Sequence, residues 1–388
     1  MQIEEIISNY KQRQRFNRLN DLHQSLGIYG GAFGTIILLF CLSKQDSNLY
    51  DVAEQKLDRV LNKLHQSASI STICNGIAGV GFGLVLLEKL NYITLEKDSL
   101  KTLNNSLLFS LKKDFNRNNF DYLHGAGGII KYFIESFHYS KSDALIAINC
   151  WLNALLENTY QYRNALKLSF KQIQRRGYNI SLSHGLSSII IILSKIYSLD
   201  IAQTDKIIIQ KLLKGYTDFI NYYIDKNHSQ GCFTPLFANE YFIKGRLAWC
   251  YGDIGIALAL WKAAEVLNNR DMKITALEIF KYLATDRRDK HDTLVNDACI
   301  CHGSTGIGQC FKWLYSETNS QIFYDAYKYW LNYTLGYATR DATNIRFPFY
   351  NMASNSYKPN DSILEGDTGV LLFLLNEDKI LNNILLYE

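Results

Sequence analysis

Cys301 and His302 stand directly before Gly303, and a thiol beside an imidazole is a pair of side chains that binds zinc in proteins. A second cysteine, Cys250, lies two residues before Gly252, at the same offset that Cys301 has from Gly303. Thiolate ligands favour zinc over magnesium or calcium. The sequence therefore predicts that Cys250, Cys301 and His302 bind zinc together and leave a fourth position open, as catalytic zinc sites do.

Two other interpretations of these cysteines stay open at this point. Either cysteine, taken alone, could be a buried core residue, because a free cysteine packs as a small hydrophobic side chain. Cys299 is a rival ligand, since it stands only two residues before Cys301. The offset from the following glycine, which Cys301 shares with Cys250, favours Cys301 over Cys299.

The glycines behind these residues belong to a pattern that occurs seven times. Its first glycine is Gly31, Gly76, Gly125, Gly185, Gly252, Gly303 or Gly366. The spacings of 45 to 67 residues leave room for two helices, and most copies run on into an apolar stretch. Glycine lets the chain turn sharply and pack closely where a helix begins. The pattern predicts seven pairs of helices, each with an apolar inner helix and an amphipathic outer helix.

Stacked repeats form either an open solenoid or a closed ring. An open solenoid needs polar caps, whereas the last apolar stretch, residues 364–375, is as apolar as the middle ones. We therefore predict an all-α fold, an α/α toroid of seven inner and seven outer helices, formed as a single domain over residues 1–388. Insertions are predicted within 138–180 and 215–248, and glycine, proline and aromatic residues at 230–242 suggest a small inserted subdomain or lid.

Composition argues against several classes of partner. The formal net charge is +4 without a long run of one sign, which gives no argument for nucleic acid. No apolar run approaches eighteen residues, and the first twenty residues lack the apolar core of a signal peptide. We expect a cytoplasmic protein that reaches a membrane only through partner proteins, as in a membrane-associated biosynthetic complex.

Four ionisable residues precede the glycines of neighbouring repeats: Asp121, His124, His184 and Arg246. Because equivalent positions in a repeat face the same way, we expect all four at the N-terminal ends of inner helices. A histidine in such a place can act as an acid or a base near neutral pH.

On these residues the chain resembles the lanthipeptide cyclases of the LanC family, which close the thioether rings of class I lantibiotics. Trp249-Cys250-Tyr251-Gly252 and Cys301-His302-Gly303 resemble the two zinc motifs of that family, and the seven glycine repeats resemble its α/α toroid over essentially the whole chain. The resemblance implies that Cys250, Cys301 and His302 are zinc ligands.

The resemblance also implies roles for four further residues. The segment around Asp121 matches the one that carries the family's active-site aspartate, and the segment around His184 matches the one with its active-site histidine. Arg246 and Tyr251 occupy the positions of the family's active-site arginine and tyrosine. His124 departs from the acidic residue that many relatives carry, and it is either an added ionisable group or a structural histidine.

Two other departures leave every implied ligand in place. Ser188 replaces the second glycine of its repeat, and Asp253-Ile254 lacks the proline that commonly follows the Tyr-Gly pair in the family.

The expected reaction adds a peptide cysteine thiol to dehydroalanine or dehydrobutyrine and forms lanthionine or methyllanthionine. Zinc would lower the pKa of the thiol, and His184 would supply the proton that the α-carbon needs. Asp121 would orient His184 or relay the thiol proton. Arg246 would either stabilise the enolate oxygen or form an ion pair with Asp121.

The expected partners are a dehydrated precursor peptide with its leader, a separate dehydratase and an exporter. Two alternatives stay open. One is a non-catalytic LanC-like protein that binds zinc and glutathione, and the other is a thiol prenyltransferase-like toroid, whose zinc ligands include an aspartate.

Overall fold

A computed structural model describes residues 2–16, 25–66, 70–96, 98–170, 177–239, 242–341 and 343–388. Sixteen helices and six short strands lie in these ranges. The helices are α1 (Ile3–Phe16), α2 (Ala32–Ser43), α3 (Asn48–Gln66), α4 (Ile77–Lys89), α5 (Lys101–Phe115), α6 (Ala126–Glu135), α7 (Lys141–Asn158), α8 (Leu186–Tyr197), α9 (Gln203–Asn221), α10 (Asp253–Leu267), α11 (Arg270–Thr285), α12 (Lys290–Thr293), α13 (Ser304–Thr318), α14 (Gln321–Gly336), α15 (Asp367–Leu374) and α16 (Asp378–Ile384).

The strands pair as three separate antiparallel hairpins. They are β1 (Thr159–Tyr162) with β2 (Ala165–Leu168), β3 (Thr339–Arg340) with β4 (Ile345–Arg346), and β5 (Phe349–Asn351) with β6 (Ser356–Lys358). None of the helices in the ranges given above is long and apolar enough to cross a bilayer.

Seven helices begin directly after the first glycine of a predicted repeat: α2, α4, α6, α8, α10, α13 and α15. They are almost completely buried, and every residue of α6 belongs to the buried core. An amphipathic or more polar helix follows each of them in the chain: α3, α5, α7, α9, α11, α14 and α16. The predicted alternation of seven apolar and seven outer helices is therefore present in the described ranges.

The chain divides into two compact units. One comprises Met1–Leu95 and Val295–Glu388, and contains α1–α4 and α13–α16; the other comprises Glu96–Leu294 and contains α5–α12. The single-domain organisation with insertions stays a prediction. Parts of the two predicted insertions, residues 171–176 and 240–241, lie outside the described residues.

A shared turn precedes six of the seven glycine-led helices. In each, the amide of the first helical residue donates to the carbonyl seven residues earlier, at 2.8 to 3.1 Å. The pairs are Ala32 with Ser25, Ile77 with Ile70, Ala126 with Asn119, Leu186 with Asn179, Ser304 with Asp297 and Asp367 with Asn360. The bond satisfies one of the amides that a helix N-terminus otherwise leaves unpaired. The loop closes so tightly that a Cβ at Gly76 would overlap the carbonyl oxygen of Ile70.

A side chain inside this turn fixes the residue just before the glycine. In five repeats, the residue just before the glycine donates its amide hydrogen to a side chain of the same turn. The accepting side chain stands two residues after the residue whose carbonyl closes the turn. The acceptor and donor are Thr72 and Asn75, Asp121 and His124, Ser181 and His184, Cys299 and His302, and Ser362 and Glu365. The residue before the glycine is therefore held by its backbone at the start of a buried helix, whatever its side chain.

Gly252 is the exception among the seven. Its φ of 98° and ψ of −165° lie in a region that essentially only glycine adopts. A Cβ there would also overlap the carbonyl oxygen of Arg246. In the described residues, this repeat lacks the amide bond to the carbonyl seven residues back.

We expect Gly252→Ala to destabilise the fold by about 1–3 kcal/mol from the backbone conformation alone, with the clash against Arg246 in addition. Gly336→Ala is the matched control, because nothing lies near a Cβ at that helix end and its φ is not positive. It should leave stability within about 1 kcal/mol or raise it. Urea unfolding followed by circular dichroism measures both, and equal stabilities of the two variants would contradict the strain at Gly252.

Candidate active site and metal ligands

The unit Glu96–Leu294 brings Asp121 and His184 into contact. Asp121 Oδ2 lies 2.8 Å from Nδ1 of His184, while Oδ1 accepts the amide hydrogen of His124 at 2.7 Å. The Asp121 side chain is 3% exposed and that of His184 is 18% exposed. Because the carboxylate faces Nδ1, it favours the tautomer with the proton there and leaves Nε2 able to exchange a proton with a ligand. This geometry suits an acid or base held in place by a buried carboxylate.

Two rings flank the His184 imidazole. The ring of His124 stacks on it with centroids 5.5 Å apart and planes at 16°, and the ring of Tyr251 lies 5.9 Å away at 47°. The Tyr251 hydroxyl accepts a hydrogen bond from the Asn179 amide at 3.4 Å. Burial raises the pKa of Tyr251, so its hydroxyl stays protonated and can donate. His124 thus belongs to the surroundings of His184: one face of its ring is covered by that imidazole, while the residue as a whole keeps exposed surface.

Arg246 does not contact Asp121 through an ion pair in the described part of the chain. Its Nη2 donates to the carbonyl of Leu294 at 2.9 Å. Its Nε is buried without a hydrogen-bond partner among the described residues. The alternative in which Arg246 fixes Asp121 is therefore not the arrangement found in the described residues.

Cys250 is 5% exposed and is tied to the turn that carries His184. Its carbonyl accepts hydrogen bonds from the amide of Ser183 at 3.2 Å and from the Ser183 hydroxyl at 3.1 Å. Ser183 is adjacent to His184 in the chain. The two bonds therefore set the position of Cys250 relative to the His184 turn.

Cys301 and His302 lie in the other unit, in the turn before α13. Their ligand atoms, Cys301 Sγ and a ring nitrogen of His302, lie within 4.8 Å of each other, and both residues are half-buried. The amide of Cys301 donates to the carbonyl of Leu364 at 2.9 Å. A half-buried thiol and imidazole held by backbone bonds at a helix start are donors of the kind that zinc prefers.

Asp297 is a residue of this turn that the sequence did not single out. Its side chain is fully buried, and Oδ2 lies 3.6 Å from Nε2 of His302. The amides of Cys299 and Tyr350 donate to it at 3.0 and 2.8 Å. A carboxylate beside the second ring nitrogen is the usual support of a metal-binding histidine, so this neighbour also fits a zinc ligand role for His302. The sequence could have drawn attention to Asp297, because it stands seven residues before the first helical residue, Ser304, at the position whose carbonyl closes the turn.

Cys299 has a structural place in the same turn. Its sulfur accepts the amide hydrogen of His302 at 3.5 Å, as the Ser181 and Ser362 hydroxyls accept in their own turns. The residue is 3% exposed, and burial raises the pKa of its thiol to about 11. A second set of three potential ligand atoms, all within 4.8 Å of one another, comes from Asp297, Cys299 and His302. In this set the side chains of Asp297 and Cys299 already accept backbone amide hydrogens of the turn. The geometry favours Cys301 as the thiol ligand.

Comparisons with known proteins bear on both fold and family. The family model described as "Lanthionine synthetase C-like protein" matches residues 23–380. The nisin biosynthesis protein NisC of Lactococcus lactis subsp. lactis is 24% identical over 338 residues, which are 79% of this chain and 77% of that protein. The solved structure of nisin cyclase matches with a TM-score of 0.70 and 19% identity, covering 99% of this chain and 96% of that one. The structural likeness confirms the predicted fold class, an all-α α/α toroid.

We expect the pKa of the His124 imidazole to lie below the ordinary histidine value of about 6.5, because desolvation of the ring, which is packed against His184, disfavours the protonated form more than the Asp121 carboxylate favours it. Between the lowered pKa and about 6.5 the folded chain then binds fewer protons than the unfolded chain, so this group makes stability rise with pH across that window. Titration of the ring protons by NMR measures the midpoint. Asp121→Asn should lower it further, and a midpoint at or above the ordinary value would contradict the burial of the stacked ring.

Proposed function

Because the chain belongs to the lanthionine synthetase C-like family, we propose that it is a cyclase that adds peptide cysteine thiols to dehydroalanine or dehydrobutyrine. The products would be lanthionine and methyllanthionine thioether rings in a dehydrated precursor peptide. The observation that carries this proposal is the Asp121–His184 pair, an accessible imidazole held by a buried carboxylate beside Tyr251. A thiol addition to an alkene needs such a group, because a proton must leave the thiol and one must reach the α-carbon.

Zinc is proposed to be held by Cys250, Cys301 and His302. The equal offset of the two cysteines from their glycines and the carboxylate of Asp297 beside His302 support this set. Bound zinc would lower the pKa of a substrate thiol and so supply a thiolate near neutral pH. The turn bonds of Cys301 and the bonds from Ser183 to Cys250 would keep the ligands in place before the metal arrives.

His184 is proposed to accept the thiol proton and to return a proton to the α-carbon after the carbon–sulfur bond has formed. Asp121 would hold the ring in the productive orientation through the 2.8 Å contact. One residue can then carry out both proton transfers, since the thiol loses one proton and the α-carbon of the product gains one.

Arg246 and Tyr251 are proposed to bind the substrate carbonyl. The guanidinium of Arg246 is half-buried and positively charged, so it would stabilise a developing enolate oxygen. Tyr251 lies beside the His184 ring and keeps a protonated hydroxyl, which makes it a second donor in reach of the same region.

The cytoplasmic location, the separate dehydratase and the exporter remain predictions. The non-catalytic zinc- and glutathione-binding alternative is an outcome of the tests below: a wild-type protein that holds zinc but closes no ring in a dehydrated peptide would favour it. A prenyltransferase-like reaction is not proposed, because the family match points to lanthionine chemistry.

We expect Cys301→Ala and His302→Ala each to abolish bound zinc and ring formation together. Cys299→Ser should keep both, because a hydroxyl can accept the amide hydrogen of His302 as the serines do in the equivalent turns. Metal analysis of the purified protein measures zinc, and mass spectrometry after thiol alkylation counts the rings. Full zinc and full cyclisation in Cys301→Ala would remove this residue from the ligand set, and loss of zinc in Cys299→Ser would transfer the role to Cys299.

His184→Ala should retain zinc yet slow ring closure by about 10²- to 10⁴-fold, the usual contribution of a positioned acid or base. His138→Ala is the matched control, because that histidine is exposed in the turn after α6 and should leave the rate unchanged. Single-turnover cyclisation of a dehydrated peptide gives the rates. Normal turnover in His184→Ala would exclude it as the proton carrier.

A further inference from the structure

A fully buried ion pair lies between the start of α10 and the residues after α11. Nη1 of Arg287 is 3.5 Å from Oδ2 of Asp253, and neither side chain has any exposed surface. Burying charges is costly unless they are paired and hydrogen-bonded. The further partners of this pair therefore indicate what it holds.

Asp253 holds one stretch of the irregular chain between α9 and α10. Its carboxylate accepts the amide of Phe233 at 3.0 Å, the amide of Thr234 at 2.9 Å and the Thr234 hydroxyl at 2.6 Å. Thr234 is itself fully buried. Asp253 thus fastens the stretch 232–239 to the first turn of α10.

Arg287 holds a second stretch, residues 242–247. Its Nη2 donates to the carbonyl of Gly245, and its Nε donates to Oδ2 of Asp292 at 3.1 Å. Next along the chain, the amide of Leu247 donates to the carbonyl of Thr293 at 3.1 Å. Gly245 directly precedes Arg246, so the backbone beside Arg246 is fixed on both sides.

The two stretches contact the proposed active site at further points. The ring of Phe237 lies 5.9 Å from the ring of Tyr251, at 68°. Ala238 and Tyr178 exchange backbone hydrogen bonds at 2.9 Å, directly before Asn179, which begins the turn of His184. These stretches therefore link Arg246, Tyr251 and the His184 turn.

We propose that Asp253 and Arg287 are positioning residues, which clamp the stretches 232–239 and 242–247 so that Arg246 and Tyr251 keep their places beside His184. The inference rests on the proposed cyclase function. The clamp acts through hydrogen bonds to backbone and to Thr234, none of which reaches the substrate. Loosening it should leave the peptide bound but misplace the donors, and small misplacements in an active site reduce the rate strongly.

Thr234→Val tests the clamp with little change in packing, because valine has nearly the shape of threonine and lacks the hydroxyl that donates to Asp253. Thr217→Val is the matched control: Thr217 is also fully buried, and its hydroxyl donates to the carbonyl of Leu213 within α9. We expect Thr234→Val to lower kcat about tenfold or more with KM little changed, and Thr217→Val to leave kcat unchanged. Thr234→Ser, which keeps the hydroxyl, should restore the rate.

Amide hydrogen exchange followed by mass spectrometry gives a second readout. Exchange in 232–239 and 242–247 should be faster in Thr234→Val and unchanged in Thr217→Val, with equal zinc content in both. Faster exchange with an unchanged kcat would overturn the positioning role, and unchanged exchange would overturn the clamp. A wild-type protein that forms no rings would contradict the proposed function instead, and the exchange data would still decide whether the clamp exists.

Discussion

The hydrogen bond from the first amide of a helix to the carbonyl seven residues earlier is the constraint on which the rest of this structure depends. It recurs in six repeats, and it closes a loop so small that a glycine must stand at the helix N-cap, as Gly76 shows. The bond satisfies an amide that would otherwise be buried without a partner. In these six repeats a buried apolar helix can therefore begin without leaving that amide unpaired, and the residue before the glycine takes the same position in each of them.

This common turn lets the repeats differ in chemistry while they agree in backbone. The side chain that accepts the internal amide is a hydroxyl in three repeats, a thiol at Cys299 and a carboxylate at Asp121. A carboxylate has two oxygens, and Asp121 uses one for the turn and the other for His184. Asp121 thus occupies the position whose side chain supports the turn in the other repeats, and its second oxygen remains for His184. The turn therefore holds the Asp121 carboxylate in place for the proposed acid–base pair.

The sequence predicted this much because glycine spacing and apolar stretches are local signals. The seven helix starts followed from these signals and are present in the structure. The family rested on more, namely its resemblance in the Cys250 and Cys301-His302 motifs together with the repeats, and it is confirmed. The features that the sequence left open depend on where individual side chains point. The contact of the Cys299 sulfur with the His302 amide supports Cys301 as the ligand, and that preference stays a prediction. The support that Asp297 gives to His302 was missed because it depends on where the Asp297 side chain points. The zinc set itself stays a prediction.

The repeat of Gly252 departs from the common turn, and this bears on why its residues are suited to chemistry. The carboxylate of Asp253, the first helical residue, accepts hydrogen bonds from the amides of Phe233 and Thr234. The backbone at Gly252 has a conformation that essentially only glycine adopts. Cys250 is held by the hydrogen bonds from Ser183 and Tyr251 packs against Phe237, so both contact residues far along the chain, and the local bond that serves the other repeats is missing here among the described residues. The repeat that carries a proposed ligand, a proposed donor and Arg246 is therefore the one among the seven whose helix start depends on tertiary contacts, those of Asp253 with Phe233 and Thr234, and not on the bond within the turn.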